Sequence, residues 1–364
     1  MHGRTGPIDG AQPQGRRGVA HRTGAPVGAG TAPATALTAP LLHAWLTSAR
    51  TVAASTRELV NFLNVFPVPD ADTGTNVLLT IRSACDALAL LPPGAELAQA
   101  ARTAADGAVR GARGNSGLLI SQVLAALADV CAEAPDPAAL RPVELTHAYE
   151  RIATTTWSAV SRPVPGTLLT VAQDAATSAR TVFEESTAAA PASVSAVAAA
   201  AAFGAQESVV ETAGLGHGAV DAGGAALMLI YTCLSDCLAD GGEGTGPAAS
   251  GKAEETPELP HTLVARQMLD DLVAGATHGA GAREAVGHFS TGEFEVMYLL
   301  EATAAQAAEL RRALETIGDS VGVVGTPDAL GVGMYQVHVH TDTPRAALPR
   351  RGRARQVCIH HLHP

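Results

Sequence analysis

Two carboxylates, Asp70 and Asp72, stand in the stretch "NVFPVPDADTGTN" (residues 64–76), between a pair of prolines and a Thr-Gly-Thr-Asn run. Pro67 and Pro69 cannot sit inside a helix, so the chain leaves the preceding helix near Phe66 and both acids fall in a turn. Thr73, Gly74, Thr75 and Asn76 then lead into "VLLTIRSACDAL". Backbone N–H groups and hydroxyls at a helix N-terminus form an anion site. Carboxylates beside an anion repel it unless a cation lies between them, so the arrangement implies Mg²⁺ bridging Asp and phosphate oxygens. The same loop also reads as a capped turn, with Asp and Thr serving only as N-cap residues.

Three later loops share this character. "GARGNSGLLISQ" (111–122) carries Asn115, Ser116 and Gly117 in a glycine-rich turn that opens a helix. It is neither a GxxxxGK[ST] loop nor a GxGxxG turn. In "VPGTLLTV" (164–171) Gly166 and Thr167 begin a helix, and in "HGAVDAGGAAL" (217–227) Asp221, Ala222, Gly223 and Gly224 begin another. Four such starts in a helical region suggest one rim lined with anion-binding helix termini.

The elements that must hold these loops follow from composition and period. Hydrophobic residues make up 47% of the 364 residues and aromatics only 3%, so the core is built from Ala, Leu and Val, which favours closely packed helices. The length suggests two domains. A formal net charge of −11 argues against nucleic acid as the main partner. The cysteines (85, 131, 233, 237 and 358) include no CxxC pair and read as buried thiols of a reducing cytoplasm; "CLSDC" (233–237) reads as helix packing. No apolar run of membrane-spanning length lacks a polar break, and no signal peptide is visible.

Residues 1–36 lack periodicity and read as disordered or as translated sequence upstream of the true start. Apolar residues at helical spacing then place helices over about 41–63, 76–90, 95–110, 116–134, 143–161, 167–187, 192–213 and 221–239, an all-α domain spanning 37–240. Residues 241–260 read as a linker. Over 261–345 the strands "FEVMYLLEA" and "MYQVHVHT" flank a helix, which fits a small α/β domain. Residues 346–364 resemble a tail, and Glu309, Arg311 and Arg312 a solvated helix face.

In that order and spacing, "LNVFPVPDADTGTN", "GARGNSGLLISQ", "PVPGTLLTV" and "AVDAGGAALMLI" resemble the nucleotide-binding domain shared by the L subunit of dihydroxyacetone kinase and the ATP-binding A subunit of bacterial fatty acid kinase. The wording is closer to the second, and "LGVGMYQVHVHTDTPRAAL" resembles the middle domain of that subunit. The resemblance implies an eight-helix up-and-down barrel with ATP at one end and two Mg²⁺ ions on Asp70 and Asp72. Asn64 lies roughly where a third Asp stands in the dihydroxyacetone kinase branch. Thr73, Gly74, Thr75, Asn76, Asn115, Ser116 and Gly117 would contact phosphates, with Thr167 and the Asp221–Ala222–Gly223 turn closing around the nucleotide. Ala71 departs from the usual Gly; a positive φ there would cost about 1 kcal/mol or more.

The implied reaction is ATP plus a fatty acid carboxylate giving acyl phosphate, in the cytoplasm, with the lipid presented by a separate fatty-acid-binding protein. A second copy of the chain is a further partner to consider. One alternative is a truncated, non-catalytic nucleotide-binding protein, because the family's third domain is not recognisable here; the other is a dihydroxyacetone kinase-type subunit. In the second domain His338 and His340 share a strand face, where the related domains add a Cys from the facing strand. Glu295 takes that place, and Glu with two His is acceptable for Zn²⁺.

Overall fold

A computed structural model describes residues 32–63, 71–214, 220–241, 260–278, 292–328 and 330–362. Asn64 and Asp70, residues 1–31 and nearly all of the 241–260 segment lie outside the described residues.

The chain opens with β1 (Leu37–Thr38), followed by α1 (Ala39–Ser55) and α2 (Arg57–Leu63). The single helix expected over 41–63 is therefore two. At the junction the hydroxyls of Ser55 and Thr56 donate back to Val52 O, at 3.0 and 2.8 Å, in competition with the helical ladder. α3 (Thr73–Leu88), α4 (Leu97–Gly111) and α5 (Gly114–Glu133) follow, then β2 (Ala139–Leu140), which pairs with β1. α6 (Pro142–Ala159), α7 (Leu168–Glu184), α8 (Val194–Gly214) and α9 (Ala222–Ala239) complete the helical run.

From α3 to α9 each helix packs against the next, α1 packs against α3, and α9 returns to α1. Trp45 of α1, fully buried, seals that return by donating its indole N–H to Ile230 O at 2.8 Å. The core is largely Ala, Leu and Val, as the composition requires. α5 and α9 are long and apolar enough to cross a membrane, and 78% and 94% of their apolar windows are buried inside the protein, as core helices are. Cys85, Cys131, Cys233 and Cys237 are buried thiols; Cys358 is only partly covered.

α10 (Pro260–His278), expected within the second domain, packs instead on α9 and α2. Asp236 of α9, buried, fixes its start by accepting from Thr262 N at 2.9 Å and Thr262 Oγ1 at 2.7 Å. Residues 32–36, expected to be disordered, also lie on the helices: Ala34 N donates to Leu238 O at 2.9 Å.

The remaining elements are β3 (Phe294–Thr303), α11 (Ala304–Leu314), β4 (Gly318–Pro327), β5 (Val332–Thr341) and β6 (Arg353–His361). They form one sheet in the order β4-β5-β3-β6, antiparallel throughout, so the small domain is an antiparallel α+β unit rather than an α/β one. β6 corrects the reading of residues 346–364 as a tail. Its exposed residues lack the apolar alternation that marks a strand in sequence, because it is an edge strand supported on one side by β3.

The two-residue period divides the sheet. Val296, Tyr298, Val337 and Val339 face α11 in a small core, while Glu295, Met297, His338 and His340 occupy the opposite face, turned to the helices. Gly114 N lies 3.0 Å from Met297 Sδ, Ser161 N donates to Val321 O at 3.2 Å, and Val160 bridges to Gly322. Arg311, expected on a solvated face, donates to Ser158 O at 3.0 Å across the same seam.

Candidate functional site

All four polar loops start helices. α3 begins after Asp72, α5 at Gly114, α7 after the N-cap Thr167 and α9 after the N-cap Asp221. Their first turns open into one cavity of about 220 Å³. Asp72, Thr73 and Asn76 line it from α3, Asn115 and Ser116 from α5, Thr167 from the α7 start, and Asp221 and Gly223 from α9. Four N-termini aimed at one space supply converging N–H groups and partial positive charge. Thr73 Oγ1 and Ser116 Oγ, 3.2 Å apart, couple two of the loops.

Ala71, just before the α3 start, has φ 53°, in the left-handed region that the usual Gly would enter freely. Asp221 is buried and accepts from the N–H groups of Gly224, at 2.5 Å, and Leu168, so one carboxylate holds the starts of both α9 and α7. Burial raises its pKa to about 6 against the opposing pull of those two bonds. Asn115 Oδ1 is buried without a hydrogen-bond partner among the described residues, an orphaned polar atom at the cavity.

Gly74, Thr75, Gly117 and Ala222 are not brought to the cavity lining. A Cβ on Gly74 would collide with Arg57 O, and one on Gly117 would stand 2.7 Å from Thr80 Oγ1. Both glycines therefore serve close approach of helices. Thr75 is engaged by Asn61 of α2, whose Oδ1 accepts from Thr75 N at 3.1 Å and whose Nδ2 donates to Thr75 Oγ1 at 3.2 Å. Asn61 thus satisfies an N-terminal N–H of α3; its only mark in the sequence is a polar residue interrupting an apolar helix.

The sheet closes the same cavity. Glu295, His338 and His340 line it together with Asp319 and Ser320 of β4. The ligating atoms of Glu295, His338 and His340 all lie within 4.8 Å of one another, and all three residues are buried. His338 Nδ1 lies 2.8 Å from Ser320 O, which only accepts, so Nδ1 carries a proton. Nε2 then faces Glu295 Oε1 at 2.9 Å, an arrangement that requires a second proton or a cation between them. Burial pushes the Glu295 carboxyl up, but the hydrogen bond to His338 and the charges of His338, His340 and His360 together hold it below the usual range. Ser320 presents its carbonyl from a left-handed backbone, φ 51°, a strained conformation for Ser.

For a divalent cation the lining offers two donor sets. Asp72 and Asp221, with the Asn115 amide oxygen, are hard oxygen donors suited to Mg²⁺; Glu295 with two imidazoles suits Zn²⁺. Arg162 and Val164, in the α6–α7 loop, and Asp319 and Ser320 are lining residues that sequence reasoning missed, because only the fold brings them here.

The chain matches the DAK2 domain family over residues 67–236 and the FakA-like family of fatty acid kinase middle domains over residues 291–363. The second match runs through β6, in keeping with its place in the sheet. An uncharacterized protein of Staphylococcus haemolyticus is 30% identical over 294 residues, 79% of this chain and 48% of that protein. Protein YloV of Bacillus subtilis is 30% identical over 299 residues, 78% of this chain and 48% of YloV. An uncharacterized protein of Staphylococcus aureus strain MRSA252 is 29% identical over 294 residues, with 79% and 48% covered. The chain thus spans about half the length of these relatives. It carries a DAK2 domain followed by a FakA-like middle domain, and over most of its own length it is similar to YloV.

Proposed function

We propose that this protein is an ATP- and Mg²⁺-dependent kinase subunit that phosphorylates the carboxylate of a fatty acid presented by a separate lipid-binding protein. The observation that carries the reading is the convergence of Asp72, Asn115, Thr167 and Asp221, from four helix starts, on one cavity. The ring of helices with α9 returning to α1 supports the eight-helix up-and-down barrel that goes with this activity, α2 being the detached end of the first helix.

Phosphoryl transfer asks for in-line positioning and neutralisation of charge rather than covalent chemistry from the protein. A carboxylate is already ionised at neutral pH, so no general base is needed. Its oxygen bonds to the γ-phosphorus, the bond from that phosphorus to the β,γ-bridging oxygen breaks, and ADP leaves with the electron pair. N–H groups left free in the first turns of α3, α5 and α9 would hold phosphate oxygens and the Asn115 amide would fix the nucleotide, while Asp221 and Thr167 take up the N–H groups of the α7 start. Asp72, with Asp70 in the preceding loop, would hold Mg²⁺, which supplies charge neutralisation on the phosphates. Glu295, His338 and His340 would hold Zn²⁺ at the sheet side of the cavity.

The test is acyl phosphate formation from ATP and oleate carried by a purified bacterial fatty-acid-binding protein. Turnover lost in Asp72→Asn supports the reading. Turnover on dihydroxyacetone and none on oleate overturns it in favour of the glycerone kinase branch; nucleotide binding without turnover on either points to a non-catalytic protein.

A further inference from the structure

We propose that Arg162 engages the phosphate chain of the bound nucleoside triphosphate, an assignment that rests on the kinase reading above and adds a residue to it. Arg162 lies in the loop between α6 and α7 and lines the cavity with Thr167. Among the described lining residues it is the one guanidinium, set in a wall that includes the carboxylates of Asp72, Asp221, Glu295 and Asp319. Its side chain is exposed and makes no hydrogen bond or ion pair among the described residues. Several arginines elsewhere do find carboxylates, Arg57, Arg102, Arg151, Arg180 and Arg311 among them. An arginine at an acid-lined cavity that has closed on none of those acids keeps its whole donor fork for a ligand.

The backbone that carries it is fixed on both sides. Val160 bridges to Gly322 and Ser161 N donates to Val321 O at 3.2 Å, which ties the residues before Arg162 to β4. After it, Pro163 restricts the backbone, and Thr167 Oγ1 donates to Val164 O at 2.7 Å. The sheet therefore sets the root of a side chain that belongs to the helical region. A planar guanidinium takes two oxygens of one phosphate at once, which a lysine ammonium cannot do, and it offsets the carboxylates that would otherwise repel a polyanion.

The experiment is binding of MgATP and of adenosine to the full chain and to Arg162→Ala, Arg162→Gln and Arg162→Lys, with thermal melts as a check on folding. Removing a charge-assisted contact lowers MgATP affinity about ten- to hundredfold in the Ala and Gln variants, leaves adenosine binding unchanged and leaves a partial deficit in the Lys variant. Because Arg162 is exposed and unpaired, the melts should match wild type. MgATP affinity equal to wild type in Arg162→Ala overturns the assignment and leaves the kinase reading standing. Equal losses for MgATP and adenosine also overturn it, because the defect then lies outside the phosphates. Wild-type protein that binds no MgATP overturns the kinase reading itself, and the assignment with it.

Discussion

Glu295 Oε1 lies 2.9 Å from His338 Nε2, on neighbouring strands of one buried sheet face. The other ring nitrogen of His338 already donates to Ser320 O, so a neutral imidazole would place a lone pair against a carboxylate. A Zn²⁺ ion held by Glu295, His338 and His340 would remove that conflict. Protein purified without chelator is expected to carry up to about one equivalent of zinc by mass spectrometry, His338→Ala to carry far less, and Glu295→Cys to retain it better, thiolate being the softer ligand. Metal content that is the same in wild type and His338→Ala would exclude the site.

Ala71 holds φ 53°, where a Cβ costs about 1–2 kcal/mol. Ala71→Gly relieves that strain but adds unfolded-chain entropy worth about 0.5–1 kcal/mol, so the net expected gain lies between about 0 and 1.5 kcal/mol. The residue adjoins the start of α3, and relief of strain there should tighten MgATP binding as well. Urea unfolding and a nucleotide titration check both; a variant less stable than wild type would mean that the left-handed conformation is not what the chain adopts in solution.

The readable parts of this fold are those with local chemistry behind them. Thr167 and Asp221 precede helices because their short polar side chains cap the first N–H groups, Asp72 holds the same position at the α3 start without a side-chain cap, and β3 and β5 show an alternation with one wholly apolar face. The break at Thr56 is hidden, since the hydroxyl bonds that end α1 compete with a helical pattern that continues through them. β6 is hidden because an exposed edge strand rich in Arg and His has no buried face to advertise. The candidate site divides in the same way. Each helix start is legible alone, whereas the meeting of Asp72 and Asp221 with Glu295, His338 and Arg162 arises from the seam between Val160 and Gly322, which no spacing in the sequence encodes.

Asp221 titrates at about 6, raised by burial from an ordinary 3.8. An acid whose folded pKa lies above its unfolded one binds more protons when folded, so its contribution to stability is greatest below the unfolded value and falls as pH rises through the folded value. The window is about pH 4 to 6, with no further loss above it. Asp221→Asn keeps an oxygen that accepts from Gly224 N and removes the charge, so its urea midpoint should vary less with pH across that window. The same pH slope in both proteins would show that Asp221 is not the group that titrates.

Gly74 belongs to the run that the resemblance sets against phosphate, yet a Cβ at that position would collide with Arg57 O and stand 2.9 Å from Asn61 Oδ1. The first of these is backbone of α2, which cannot swing aside as a side-chain tip can. Gly74→Ala therefore must push α2 from α3 and strain the bonds by which Asn61 holds Thr75. Overpacking of this kind costs about 1–3 kcal/mol. A variant that lost nucleotide binding while keeping its unfolding midpoint would return Gly74 to the phosphates. One that lost stability, with MgATP affinity falling only as far as the α3 start is displaced, places it in the packing between α2 and α3.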